Sequence, residues 1–223
     1  MSSGASGMSG NLTKRALSGM AAELFRSGPV LFRYMQMGRP YICPFHELVS
    51  LVPGGSRVLD IGCGGGLFLA YLARLGIISS GVGIDPSRVA IAAAENMRAN
   101  NGLGNQLDFV AGPFPYGSRE CFDLVSLIDV LHHVPRPQQR DFIRAAVRHV
   151  KRGGFLLIKE MRPRPVHGAL LNGLHDMILA GEVPRYVDER VMRSWAAEEG
   201  LQPRHFKHDR LMWYYHHTHL LQA

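Results

Sequence analysis

Four glycines within five positions, Gly62, Gly64, Gly65 and Gly66, follow the apolar pair Val58-Leu59 and the acid Asp60. Glycine after a strand lets backbone approach a ligand and take positive φ angles, so this segment predicts a nucleotide cradle that also uses Cys63. Twenty-five positions beyond Asp60, Asp85 ends Gly83-Ile84-Asp85-Pro86, where a carboxylate can accept hydrogen bonds from both hydroxyls of a ribose. A dinucleotide loop would carry another small residue at position 67. Leu67 stands there instead, and an acid at Asp60, inside the strand end, suits a ligand with a cationic amino-acid end. Further along, His132, His133 and Lys159 are the groups able to take, hold or return a proton, which makes them the catalytic candidates.

These residues need a frame that brings them to one edge. From Arg57 onward, short apolar runs alternate with helical stretches. Strands are expected at Arg57 to Ile61, Gly81 to Ile84, Gln106 to Val110, Phe122 to Leu127 and Gly154 to Lys159, and helices at Leu67 to Leu75, Ser87 to Asn100 and Pro137 to Val150. Such alternation specifies an α/β fold with a doubly wound, mostly parallel sheet. In that architecture ligands bind beyond the carboxyl ends of the strands, where the strand order reverses.

Helices at Leu12 to Phe25 and Val30 to Met37 precede the sheet, and Gly38-Arg39-Pro40 is expected to break the second. Two closing runs, Leu201 to Phe206 and Met212 to Leu220, predict an antiparallel C-terminal hairpin turning at Lys207 to Arg210, with a last helix at Ser194 to Glu199. His217 and His219 then share one face of a strand and His216 takes the other. Residues 1–10 read as a disordered lead-in and 11–223 as one domain, with a helical segment over 11–55. Residues 161–190 are too long for an αβ connection of ~2 to 6 residues, so they read as a helical cap with its own helix at Leu170 to Ala180.

The glycine loop, Asp85 and the run Cys121-Phe122-Asp123-Leu124-Val125-Ser126-Leu127-Ile128-Asp129-Val130-Leu131-His132-His133-Val134-Pro135 resemble, in order, three stations of the class I S-adenosylmethionine-dependent methyltransferases. The resemblance covers Arg57 to Lys159 and, through the hairpin, the end of the chain. It implies a Rossmann-like fold and S-adenosylmethionine as cofactor. Asp60, Gly62 and Gly64 would hold the methionine part and Asp85 with Pro86 the ribose, while Ile128 and Asp129 would line the cleft. The family often places an acid after the third strand for the adenine amino group. Here Val110-Ala111-Gly112-Pro113-Phe114 has none, which leaves backbone acceptors and Phe114.

For the acceptor, methyltransferases of nucleic-acid amines usually carry Asn or Asp, then Pro-Pro and an aromatic, after the fourth strand. Ile128-Asp129-Val130-Leu131 departs from that, and the Leu-His-His-Val-Pro form looks like enzymes of small molecules, including quinone and natural-product methyltransferases. Arg39-Pro40-Tyr41-Ile42-Cys43-Pro44-Phe45-His46 and Leu174-His175-Asp176 loosely resemble a bacterial polyketide, acyl or phosphonate subgroup.

Basic residues number 25 against 18 acidic, giving a net charge of +7, and all but four of the 25 are arginines. With Tyr41, the residues Arg162, His175, Arg185, Lys207 and Arg210 form a cationic rim suited to an anionic metabolite, most simply methylated on oxygen. No apolar run approaches the ~18 residues of a membrane span, no metal-ligand spacing stands out, and a cytoplasmic address follows by default. An RNA-modifying methyltransferase and a cofactor-binding partner subunit without catalysis are the alternatives.

Overall fold

The computed structural model of the chain describes residues 12–115, 120–162, 185–212 and 214–223. The lead-in 1–10, the expected cap helix 170–180 and His175 lie outside the described residues. Helices α1 (Lys14–Leu24), α2 (Val30–Ile42) and α3 (Phe45–Ser50) precede β1 (Ser56–Ile61). Then come α4 (Leu67–Arg74), β2 (Ile78–Asp85), α5 (Arg88–Asn100), β3 (Leu107–Ala111), β4 (Phe122–Ile128), a 3₁₀ turn at Leu131–His133, α6 (Arg136–Val147) and β5 (Val150–Met161). The described chain closes with α7 (Glu189–Glu198), β6 (Gln202–Leu211) and β7 (Tyr214–Gln222).

The seven strands lie in the order β3-β2-β1-β4-β5-β7-β6. β1 to β5 are mutually parallel, β7 runs antiparallel to β5, and β6 runs antiparallel to β7. This is the expected Rossmann-like sheet, with its order reversing between β1 and β4 so that the glycine loop opens at the switch point. Alternation along the strands fills two cores. Val58, Leu124 and Leu157 face α1, α3, α4 and α5. Leu59, Val125, Leu127 and Leu156 face α6 and α7.

The structure departs from the sequence reading in five places. α2 passes through Gly38-Arg39-Pro40 to Ile42 instead of breaking there. A proline inside a helix loses one hydrogen bond. Pro40 is buried, however, and Cys43 N still donates to Arg39 O at 2.8 Å, so packing carries the helix across. α3 was not expected at all. α6 ends at Val147 rather than Val150, because Phe122 N takes His149 O at 2.8 Å and Val150 pairs with Phe122.

The fourth departure is the hairpin. Lys207 to Arg210 is not a turn but lies within β6, where Lys207 pairs with Thr218 and Asp209 with His216. β6 is an edge strand whose two faces meet charged partners rather than core: Lys207 reaches Glu47 on α3 at 2.5 Å, and His208 reaches Glu189 on α7 at 2.6 Å. Its polarity therefore mimicked a loop. The last helix likewise starts five residues earlier than expected, at Glu189, because Asp188 caps it through Arg190 N at 2.9 Å. Among the described residues, no helix is long and apolar enough to cross a membrane.

Candidate active site

At the end of β1, Asp60 is buried and paired in register with Ser126, whose hydroxyl donates to it at 2.6 Å. Burial pushes the Asp60 carboxyl up to about 7, against the opposing pull of the Ser126 hydrogen bond and the Arg39 charge. A carboxyl so balanced ionises readily when a cation arrives. The loop that follows has Gly62 at φ 74°, Gly64 at φ 54° and Gly66 at φ 77°. A Cβ on Gly62 would lie 2.3 Å from the Val130 side chain, whereas one on Gly64 would meet nothing within 4 Å. Gly62 thus packs the loop against the β4 end, and Gly64 faces open space.

Asp85 accepts from Gly64 N and Ser87 N, both at 2.8 Å, which fixes its carboxylate at the loop and leaves each oxygen a further lone pair for a hydroxyl. Cys63 is engaged inside the protein. Its N–H donates to Ile84 O, its carbonyl accepts from Gly66 N, and burial raises its thiol pKa. Beyond the loop lies a cleft of about 330 Å³ bounded by Gly62, Pro86, Phe114, Val130, His133 and Gln138. Phe114 rests edge-on against Phe142 at 5.1 Å between ring centres and so forms a fixed wall.

At the ends of β4 and β5 the polar groups are tightly knit. Lys159 is fully buried and donates to both Asp129 oxygens at 2.6 and 2.5 Å. Asp129 has φ 56°, a left-handed backbone that turns its carboxylate back over β5. Burial is the largest single influence and would raise the Asp129 carboxyl, but Lys159, by charge and hydrogen bond, together with His216 and His132 holds it below the usual carboxylate range. Next along β5, buried Glu160 accepts from Val130 N at 2.9 Å, Leu131 N at 2.6 Å and His132 Nδ1 at 2.7 Å. Asp129, His132 and Glu160 place ligand-type atoms within 4.8 Å of one another. Of these three, Asp129 is already paired through both oxygens with the Lys159 ammonium, which would compete with a metal ion for that carboxylate.

The expected substrate residues are less concentrated. Tyr41 is exposed on the last turn of α2. Arg185 lies against the Leu131–His133 turn, its N–H donating to His132 O at 2.8 Å and its guanidinium to His133 O at 3.5 Å. Arg162 N donates to Tyr215 O at the start of β7. Lys207 is held by Glu47, and Arg210 stacks over Tyr215 and donates to Met212 O. Two functional candidates escaped the sequence reading. Glu160 reads as an ordinary position in a strand, and Arg39 reads as part of a helix break. Half-buried on α2, Arg39 lies over Phe45 at 5.9 Å with its charge felt at Asp60.

As expected, His217 and His219 share a face, and they are joined at 3.0 Å. Burial lowers His216 and His217 to about 3 and His219 to about 4, so all three are neutral in the fold. Unfolded, they take up protons below about 6.5. The stability they contribute is therefore complete above that pH and is lost as pH falls towards 4. Asp60, with its raised folded pKa, works in the opposite sense over nearly the same range. Three groups against one predicts a melting temperature that drops between pH 7 and pH 5, with a shallower slope in His217→Asn, as scanning calorimetry at several pH values would show.

The cleft has the layout of a nucleoside-cofactor enzyme that works at the switch point of its sheet. Residues 32–205 match the methyltransferase domain family, and the chain belongs to that family. Over 129 residues it is 35% identical to the ubiquinone biosynthesis O-methyltransferase of Xanthomonas axonopodis pv. citri, covering 56% of this chain and 52% of that enzyme. Over 171 residues it is 29% identical to the enzyme of the same name from Pseudomonas putida strain F1, covering 70% and 68%. The chain thus spans about half to two thirds of these relatives' length. Among solved structures, the magnesium protoporphyrin IX methyltransferase of Synechocystis PCC 6803 with bound SAH superposes with a TM-score of 0.67 at 20% identity, over 92% of this chain and 93% of that one. S-adenosylmethionine fits the residues present: a buried carboxyl for its ammonium, open backbone at Gly64, an anchored carboxylate for its ribose and a walled cleft for its base.

Proposed function

We propose that this protein methylates an oxygen of a small, anionic acceptor, using S-adenosylmethionine as donor. The observation that carries the reading is the Glu160 carboxylate fixing His132 beside the cofactor cleft. Glu160 receives the Val130 and Leu131 N–H groups at one carboxylate oxygen and pairs the other with His132 Nδ1, and with Nδ1 as the donor the basic position of the neutral ring is Nε2. His132 is then poised as the base for an acceptor hydroxyl, with Glu160 stabilising the charged ring. When bound, the cofactor supplies a methyl group on a cationic sulfur.

The chain supplies position. Asp60 receives the ammonium and Arg39 the carboxylate of the methionine end, Asp85 holds the ribose, and Ile128 with Asp129 lines the cleft. Lys159 neutralises Asp129 and keeps the strand ends in place, a positioning role rather than contact with the reacting atoms. Arg185, anchored on the His132-His133 turn, and Arg162 offer cations for an anionic acceptor. The names of the relatives, O-methyltransferases of ubiquinone biosynthesis, support oxygen as the acceptor atom, and the departure after β4 argues against nucleic acid. A cytoplasmic address belongs to the same reading, supported by the absence of a spanning helix among the described residues.

Mass spectrometry of products from a panel of phenols, catechols and hydroxy acids tests the activity. Glu160→Gln should lower kcat about 100-fold, because the amide donates to Nδ1 and moves the ring proton to Nε2, while affinity for the demethylated cofactor stays unchanged. A methylated nitrogen or carbon acceptor, or full activity in Glu160→Gln, would overturn the oxygen-and-base reading.

A further inference from the structure

The cleft lacks the acid that would receive the adenine amino group, and its other hydrogen-bonding groups are largely committed. Adenine offers an acceptor at N1 and a donor at N6 side by side. Among the described residues lining the cleft, the N–H of Gly62 donates to Ile84 O, that of Gly112 to Asp85 O and that of Val130 to Glu160. The N–H groups of His133, Val134 and Gln138 are spent on Val130 O, Leu131 O and Pro135 O, and Pro86, Pro113 and Pro135 have none. Phe114 aside, a donor for N1 in the described lining then comes from a side chain. His133 and Gln138 carry the polar side chains of this lining.

Two consecutive glutamines open α6 and do different work. Gln139 is buried, its amide donating to Leu131 O at 3.1 Å, Val134 O at 3.1 Å and Arg185 O at 2.9 Å, so it builds the Leu131–His133 turn. Gln138 is exposed and borders the cleft. A carboxamide presents a donor and an acceptor about as far apart as N1 and N6, whereas a neutral imidazole cannot serve both at once.

We propose that Gln138 is the adenine-specificity residue, pairing its amide N–H with N1 and its carbonyl with the N6 amino group. It does what the acid after β3 does elsewhere, from the opposite wall of the cleft. Phe114 and Pro113 supply the apolar wall and Gln138 the edge. This inference rests on S-adenosylmethionine being the donor.

Calorimetry on the full chain with S-adenosylhomocysteine, and with its analogue lacking the 6-amino group, tests both levels separately. The wild type should prefer the amino compound by about tenfold, and Gln138→Leu should bind both equally at the weaker level. A preference retained in Gln138→Leu, or one abolished by His133→Ala instead, overturns the assignment. A wild type that binds neither compound overturns the cofactor reading beneath it. Thermal melts without ligand, unchanged for this exposed position, separate loss of recognition from loss of fold.

Discussion

Lys159→Met should lower the unfolding free energy by about 3 to 5 kcal/mol, the cost typical of leaving one member of a buried ion pair uncompensated, and should abolish turnover. Lys159 is fully buried, and its ammonium meets both oxygens of Asp129. Burial is already the largest single influence on the Asp129 carboxyl, and without the Lys159 charge and hydrogen bonds that oppose it the pKa should rise instead of falling. The variant should accordingly regain stability as the pH is lowered and Asp129 takes up a proton, although the buried histidines oppose this in both proteins. Urea denaturation of variant and wild type at pH 8 and pH 5 reads the difference. Adding Asp129→Asn should restore most of the loss, since asparagine tolerates the left-handed backbone at φ 56° and carries no charge. A loss below about 1 kcal/mol in the single variant would mean that water solvates the pair.

This ion pair also shows where sequence stops being informative. The glycine loop and Asp85 were legible because their function is local. Positive φ at Gly62, Gly64 and Gly66 demands glycine within a few positions, and the loop must follow a strand. Helix and strand periodicity was equally local, and it gave the five parallel strands to within a few residues.

Glu160 was illegible for the converse reason. Its partners Val130, Leu131 and His132 are about thirty positions away, 28 in the case of the histidine, and meet it only because β4 and β5 are neighbours. The hairpin turn was misplaced because an edge strand salted with Lys207, His208, Asp209 and Arg210 has the composition of a loop until Glu47 and Glu189 are seen opposite it. Arg39 was hidden by Pro40. A local rule about proline was right about its cost and wrong about the outcome, since the cost was offset by burial.

Asp60→Asn separates stability from function most cleanly, because the two should move in opposite directions. In the folded chain the Asp60 carboxyl sits at about 7, well above its value in an unfolded chain, so the fold holds a proton there that the unfolded state releases. Stability from this group therefore diminishes as pH rises from about 4 to 7, and above 7 the fold carries a buried anion at its full cost. An isosteric amide removes that cost and still accepts from Ser126. The melting temperature of the ligand-free variant at pH 8 should rise by several degrees, since about 1 kcal/mol is worth roughly 2 to 4 °C for a chain of this size.

Cofactor affinity should fall by about 100-fold in the same variant, the order expected when one partner of a desolvated, hydrogen-bonded charge pair is removed. Wild-type binding should also tighten from pH 6 to pH 8, as the carboxyl no longer has to give up a proton when the ammonium arrives, and the variant should lack that dependence. Calorimetry in buffers of different ionisation enthalpy counts the proton directly. Equal affinity in variant and wild type at pH 8 would place the ammonium elsewhere, and it would leave Asp60 as a buried structural acid whose raised pKa serves no ligand.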